Sequence, residues 1–247
     1  WRDYTRCGVP IPGERIIVFK TPLSHEFDSK SDQDKKIKPH ERFTPMDLEN
    51  HVSQKNIKLK MVVDLTNTNA DTYYNPKELC DHGIPHRKIK CVGKQIPDEN
   101  VVERFKTAVC TFMKENSNSD SVVGVHCTHG VNRSGYVVCR YLIECKGYTP
   151  QDAIKAFNKT RGHHMEYTDH LEDLLEKKAR LDFPSYVCIG DNRKWDEIPF
   201  EEDKTNWRSN NIRGNTKGND FRSRYHDQHV DRYQPPTGNP AQCRHYL

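Results

Sequence analysis

The chain has 247 residues, 34% of them hydrophobic, and its 39 Lys and Arg nearly balance 35 Asp and Glu to leave a net charge of +4. That length suits one good-sized domain with a tail, or two small ones, and so low an apolar content makes a core depend on where the apolar residues cluster. The mild charge permits an anionic partner without demanding one, and no apolar run approaches the length of about 18 residues needed to span a membrane.

The nine cysteines are odd in number and form no C-x-x-C pair, which fits reduced thiols better than a disulfide framework. The chain begins at Trp1 and carries no charged-then-apolar leader. A soluble intracellular monomer is expected, in nucleus, cytoplasm or both, with no membrane partner.

Residues 1–13 are rich in turn formers and lead into Arg15-Ile16-Ile17-Val18-Phe19, a predicted strand. Residues 24–40 are polar and read as an exposed loop. Thr44-Pro45-Met46-Asp47 supplies an N-cap, a proline at the first helical position and an early acid, so a helix should run to about Gln54. Residues 57–65 follow as a strand whose apolar run Met61-Val62-Val63 suits a buried parallel sheet. Asp64 and Asn67 lie at its carboxyl end, where open α/β sheets gather their ligands.

Residues 73–80 read as a short helix or turn and residues 83–90 as a basic third strand carrying Arg87, Lys88 and Lys90. Asp98 can cap the next helix, in which Val102, Phe105, Val109, Phe112 and Met113 repeat at helical spacing. Residues 121–125 form another short apolar run, and residues 136–145 regain helical periodicity. Thr149-Pro150 opens a further helix with Ala153, Ile154, Ala156 and Phe157 inward, and Thr168 should cap a last one using Leu171, Leu174 and Leu175. Strands alternating with helices predict an α/β fold, with a central, mostly parallel twisted sheet flanked by helices.

Residues 1–183 are expected to form that domain and residues 184–247 a flexible, basic, partly disordered tail. From Lys204 onward eight Lys or Arg stand against three acids, interleaved with Trp207, Phe221, Tyr225 and Tyr233. An RNA-binding arm would carry such a mixture, through phosphate contacts and stacking, and so would a plain linker.

Between the strand ending near Val125 and the helix that follows lies His126-Cys127-Thr128-His129-Gly130-Val131-Asn132-Arg133-Ser134-Gly135. A cysteine and an arginine six positions apart, with glycine between, can wrap the backbone around a phosphate so that successive N–H groups face its oxygens. Placing the loop on a helix N-terminus favours both the anion and a thiolate. Cys127 is the candidate nucleophile, and Arg133 would grip two phosphate oxygens bidentately. Ser134 would donate to the departing sulfur, and the backbone of Thr128, His129, Gly130, Val131 and Asn132 would cradle the anion. His126 would orient the loop, supported by Asn67. The chemistry needs no metal and no cofactor.

This motif resembles the signature of the cysteine-dependent protein tyrosine and dual-specificity phosphatase superfamily. The form His-Cys-Thr-His-Gly-x-Asn-Arg-Ser-Gly, with Asp64-Leu65-Thr66-Asn67-Thr68 and Tyr73-Tyr74 upstream, resembles its RNA 5′-triphosphatase branch. That branch includes the triphosphatase domain of metazoan mRNA capping enzymes and the stand-alone phosphatases that interact with RNA and ribonucleoprotein complexes. Trp1-Arg2-Asp3-Tyr4, residues 88–93 and Arg161-Gly162-His163 extend the likeness over about residues 1–183. The resemblance implies removal of γ and β phosphates from triphosphate or diphosphate RNA ends, leaving monophosphate. For some relatives it also implies partnership with ribonucleoprotein or Dicer-type small-RNA complexes.

Protein phosphatases of the superfamily place an aspartate about thirty residues before the cysteine to protonate an alkoxide or phenoxide, as the resemblance has it. Here that loop, Cys91-Val92-Gly93-Lys94-Gln95-Ile96-Pro97, holds no acid before Asp98. An anhydride releases a far less basic leaving group and needs little such help. Lys94, with Arg87, Lys88, Lys90 and Arg161, is a candidate contact for the outer phosphates or the RNA. The rival readings are a dual-specificity protein phosphatase and a non-catalytic RNA-binding module that senses 5′ phosphates.

Overall fold

The computed structural model describes residues 1–28 and 37–179. The expected tail lies outside those residues, as does part of the loop over residues 24–40. Four parallel strands form the sheet in the order β1-β4-β2-β3: β1 (Ile16–Lys20), β2 (Leu59–Asp64), β3 (His86–Lys88) and β4 (Val122–Cys127). The helices are α1 (Pro45–Ser53), α2 (Lys77–Cys80), α3 (Glu99–Glu115), α4 (Asn132–Lys146), α5 (Pro150–Arg161) and α6 (Thr168–Glu176). This is the α/β layer architecture expected from the alternation of elements.

The strands are apolar on both sides because both faces are covered. Ile16, Val18, Met61, Val63, Val123 and Val125 pack with α3, α4, α5 and α6, while Ile17, Phe19, Val62 and Val122 pack with Leu48, Val52 and Leu79 of α1 and α2. In β4 the alternation passes through Gly124. A methyl group there would lie 2.6 Å from the Phe19 ring and 2.9 Å from Leu59, so only glycine lets the central strand lie against that layer.

Local rules set most helix boundaries. Thr44 accepts from the Asp47 N–H, and the Asp47 carboxylate accepts from the Thr44 N–H in return, a reciprocal cap with Pro45 next in line. Thr149 caps α5 by accepting from the Asp152 N–H, and its hydroxyl, not its N–H, donates to the Asp152 carboxylate. Gly147 and Gly162 end α4 and α5 in left-handed conformation.

Four expectations need correction. Thr168 is the first residue of α6, and Tyr167 stands at its N-cap without a side-chain cap hydrogen bond. The basic third strand is only His86–Lys88. It pairs with β2 alone, and its neighbours Ile84 and Ile89 turn into the core. Asp98 stands at the N-cap of α3 without a side-chain cap hydrogen bond. In α6, Leu174 is buried but Leu175 is 47% exposed, and His170 takes the second inward position. The seven cysteines among the described residues are all free. No helix among those residues is long and apolar enough to cross a membrane.

Candidate active site

The carboxyl end of β4 runs straight into residues 127–131, and α4 begins at Asn132. The candidate nucleophile therefore lies between the end of a central strand and the N-terminus of a fifteen-residue helix. Cys127 is 3% exposed. Burial pushes its thiol up, but the Arg133 charge, the Ser134 hydroxyl and the backbone N–H groups of Ser134 and Val131 outweigh burial and hold its pKa below the ordinary value. Cys91 also feels the Arg133 charge but has no such hydrogen bonds, and burial pushes its thiol up to about 12. The Ser134 hydroxyl is fully buried and without a hydrogen-bond partner among the described groups. Its donor favours the charged form of Cys127.

Gly130 closes the loop. Its φ is +67°, and a methyl group would sit 2.2 Å from the Phe19 carbonyl oxygen, so both conformation and space require glycine. The Thr21 N–H donates to the Thr128 carbonyl at 3.1 Å, which fastens the loop again to the end of β1. Arg133 reaches across the site. It donates to the carbonyls of Leu65 (3.2 Å) and Cys91 (3.0 Å) and to Thr128 Oγ1 (2.8 Å).

His126 is completely buried between Phe19 and Tyr74. Its Nδ1 faces the Cys127 carbonyl at 3.3 Å and its Nε2 the Tyr74 hydroxyl at 2.8 Å. Burial lowers its pKa to about 4 against the pull of Asp64, so the ring is neutral at neutral pH. An Nδ1–H tautomer that accepts from Tyr74 satisfies both contacts. Such a ring links the loop backbone at Cys127 to Tyr74.

Behind it, the Asp64 carboxylate accepts from the Thr66 N–H and hydroxyl, each at 2.8 Å, and from Lys88 Nζ at 2.8 Å. Burial alone would raise Asp64, but His126, His86 and Lys88 together hold it far below the usual carboxylate range. Asp64, His86 and His126 converge closely enough to suggest a metal site, yet the Lys88 ammonium already neutralises that carboxylate.

The other expected site residues divide into three groups. Asn132 is buried, and its side chain ties α4 to residues 166 and 167: Oδ1 accepts from the N–H groups of Glu166 (2.7 Å) and Tyr167 (3.2 Å), and Nδ2 donates to Glu166 Oε2 (3.2 Å). Val131 is fully buried, and His129 is half-buried with its ring stacked on Tyr4. Lys94 and Lys90 are exposed, with Lys90 Nζ 3.4 Å from Asn69 Oδ1, and Arg87 is half-buried on β3. Gly93, beside Lys94, lies over Arg133, since a methyl group on it would be 3.8 Å from the guanidinium carbon. The facing loop thus reaches the phosphate cradle.

Two residues differ from expectation, and Lys88 does so in part because its ammonium is engaged by Asp64 and Thr66. Asn67 is exposed and carries no hydrogen bond to the loop; Tyr74 and Asp64 support His126 instead. Arg161 is 1% exposed and so cannot reach an RNA strand. It donates to the carbonyls of Gly130, His129 and Thr5 at 2.9 Å and to Thr5 Oγ1 at 2.6 Å. By holding the Gly130 and His129 carbonyls outward, it leaves the loop N–H groups free to face an anion. Arg161→Met should therefore lower stability by about 2–4 kcal/mol in urea unfolding, because buried acceptors lose their donors.

Sequence reasoning missed Tyr74, Thr66, Glu166 and the Lys88 pairing. Tyr74 and Thr66 carried a signal, as parts of Tyr73-Tyr74 and of Asp64-Leu65-Thr66-Asn67-Thr68. A model of the dual specificity phosphatase catalytic domain matches residues 46–180. The chain is 44% identical over 187 residues to the human RNA/RNP complex-1-interacting phosphatase, covering 76% of this chain and 54% of that protein. It therefore spans about half the length of that relative. It is also 35% identical over 175 residues to a tyrosine-protein phosphatase of Autographa californica nuclear polyhedrosis virus, covering 71% of this chain and 96% of the viral protein. The solved structure of PTPMT1 aligns over 69% of this chain and 92% of that one, at 21% identity and a TM-score of 0.48.

Proposed function

The chain belongs to the dual specificity phosphatase family, and from that premise we propose that it is an RNA 5′-polyphosphatase, removing the γ and then the β phosphate to leave a 5′-monophosphate. The observation that carries this reading is the loop facing the cradle. Residues 91–97 approach Arg133 through Gly93 and carry Lys94 but no acid. Cleaving an anhydride releases a weakly basic phosphate or diphosphate that needs little protonation. Outer phosphates do need positive charge, and Lys94 offers it. The RNA/RNP complex-1-interacting phosphatase named above agrees with a substrate of this class.

In the mechanism, the Cys127 thiolate attacks the terminal phosphorus in line. An S–P bond forms as the bond to the bridging oxygen breaks, and diphosphate-ended RNA departs. Loop N–H groups and Arg133 meet the charge that develops on the equatorial oxygens. Water then attacks the phosphocysteine, the S–P bond breaks, phosphate leaves carrying the protons of the water, and the Ser134 hydroxyl donates a hydrogen bond to the returning thiolate. A diphosphate end passes through the same two steps. The protein's own donors meet the charge at each step, so no metal ion is required.

The viral relative's name favours a second reading, hydrolysis of phosphotyrosine with Asp98 as general acid. Both are tested together by incubating the protein with end-labelled triphosphate RNA in excess chelator, beside a phosphotyrosine peptide. Release of phosphate from RNA, unaffected by chelator and unchanged in Asp98→Asn, is expected. Peptide hydrolysis that collapses in Asp98→Asn, with RNA left intact by the wild type, would assign the protein substrate instead.

A further inference from the structure

One group of rings beside the loop has no part in the chemistry above. The His129 ring, two positions from Cys127, lies parallel to Tyr4, with centroids 4.6 Å apart and 12° between planes. His163 adjoins Tyr4 at 5.1 Å. All three rings are half-buried, so the cluster presents aromatic surface at the rim. Burial lowers the pKa of both His129 and His163, which favours uncharged rings.

The cluster is held rigidly. The Tyr4 hydroxyl donates to Glu166 Oε1 at 2.7 Å and its carbonyl accepts from Lys20 Nζ at 3.0 Å. Next to it, the Thr5 N–H donates to His163 Nε2 at 2.9 Å, and Thr5 accepts from Arg161 through both its carbonyl and its hydroxyl. Glu166 is in turn bound to Asn132 at the start of α4. The segment carrying Tyr4 is thus fastened to the same residues that hold the loop. Ring surfaces fixed in advance lose little entropy when a ligand stacks on them.

Resting on the polyphosphatase reading, we infer that the Tyr4–His129 stack is the platform for the base of the 5′-terminal nucleotide of the RNA. A phosphotyrosine ring is attached directly to the phosphate in the cradle and lies deep in the site. A nucleobase is separated from its terminal phosphate by two further phosphates and a ribose, which carries it out to the rim. Every base has a π-face, so the platform accepts any first nucleotide. Exposed Arg6 of the same segment is bonded to a neutral carbonyl, that of His40, at 2.7 Å. Its charge remains for the phosphodiester that follows.

The test compares KM for a triphosphate oligoribonucleotide with KM for inorganic tripolyphosphate, which has the phosphate chain but no base. Wild type should favour the RNA. Tyr4→Leu should shrink that preference by about tenfold, within the range measured for loss of a single base stack, and Tyr4→Phe should keep it. As a readout independent of turnover, 2-aminopurine placed as the first base should be quenched on binding Cys127→Ser. RNA hydrolysis with an unchanged preference in Tyr4→Leu, or 2-aminopurine that stays bright when bound, would overturn the platform and leave the polyphosphatase reading standing. A KM increase in Tyr4→Leu confined to a phosphotyrosine peptide would overturn it in favour of a peptide platform. Wild type inert toward both RNA and tripolyphosphate would overturn both inferences at once.

Discussion

Cys127→Ser is expected to lower phosphate release from triphosphate RNA by about 10⁴-fold or more, as removal of an enzyme nucleophile does elsewhere, while triphosphate RNA still binds. The two halves of the result have separate physical origins. Turnover needs a thiolate, and the donors that hold the Cys127 pKa down cannot bring a serine hydroxyl anywhere near ionisation. Affinity rests on the loop N–H groups and Arg133, which the substitution leaves in place. Filter binding of labelled RNA to the variant, beside phosphate release, separates them. Undiminished release would rule out the phosphocysteine route.

Arg133→Ala is expected to combine a loss of about 10²–10³-fold in kcat, typical of removing one donor to transition-state charge, with a change in pH dependence. The sign follows from the opposing influences on Cys127. Burial is the largest and raises the thiol pKa; the Arg133 charge is the foremost influence lowering it. Without Arg133 the balance tips toward burial, and the pKa rises. The acid limb of kcat/KM, which reports ionisation in the free enzyme, should therefore move to higher pH. The rate of alkylation by iodoacetamide should move with it. A variant that loses turnover but keeps the wild-type limb would show that Arg133 acts on the phosphate alone.

Much of this was legible in the residues because it is local. The apolar runs of β2 and β4, the helical spacing from Val102 to Phe112 and the Thr-Pro starts of α1 and α5 each depend on neighbours a few positions away. The nucleophile loop is legible for the same reason, since its strand, glycine, arginine and helix are consecutive. Contacts across the chain were not. Arg161 reads as one more cation near a glycine, and only the fold reveals that it lies beneath Gly130 and His129. Lys88 reads as one of a group of candidate phosphate contacts, although Asp64, twenty-four positions earlier, claims its ammonium. Tyr4 and His129 meet across 125 positions, and no periodicity could announce it.

Gly130 leans on Phe19, Thr128 bonds to Thr21, and Arg161 clasps Thr5. All three anchors precede residue 46, where the match to the family's catalytic domain begins. The matched catalytic-domain model and the set of contacts that holds the loop therefore have different edges in this protein. A polypeptide trimmed to residues 46–180 would keep Cys127, Arg133 and the loop between them and lose the mould in which the loop is cast. Pairing of β1 with β4 unites segments about a hundred residues apart. Phosphatase activity would then report the docking of its first strand.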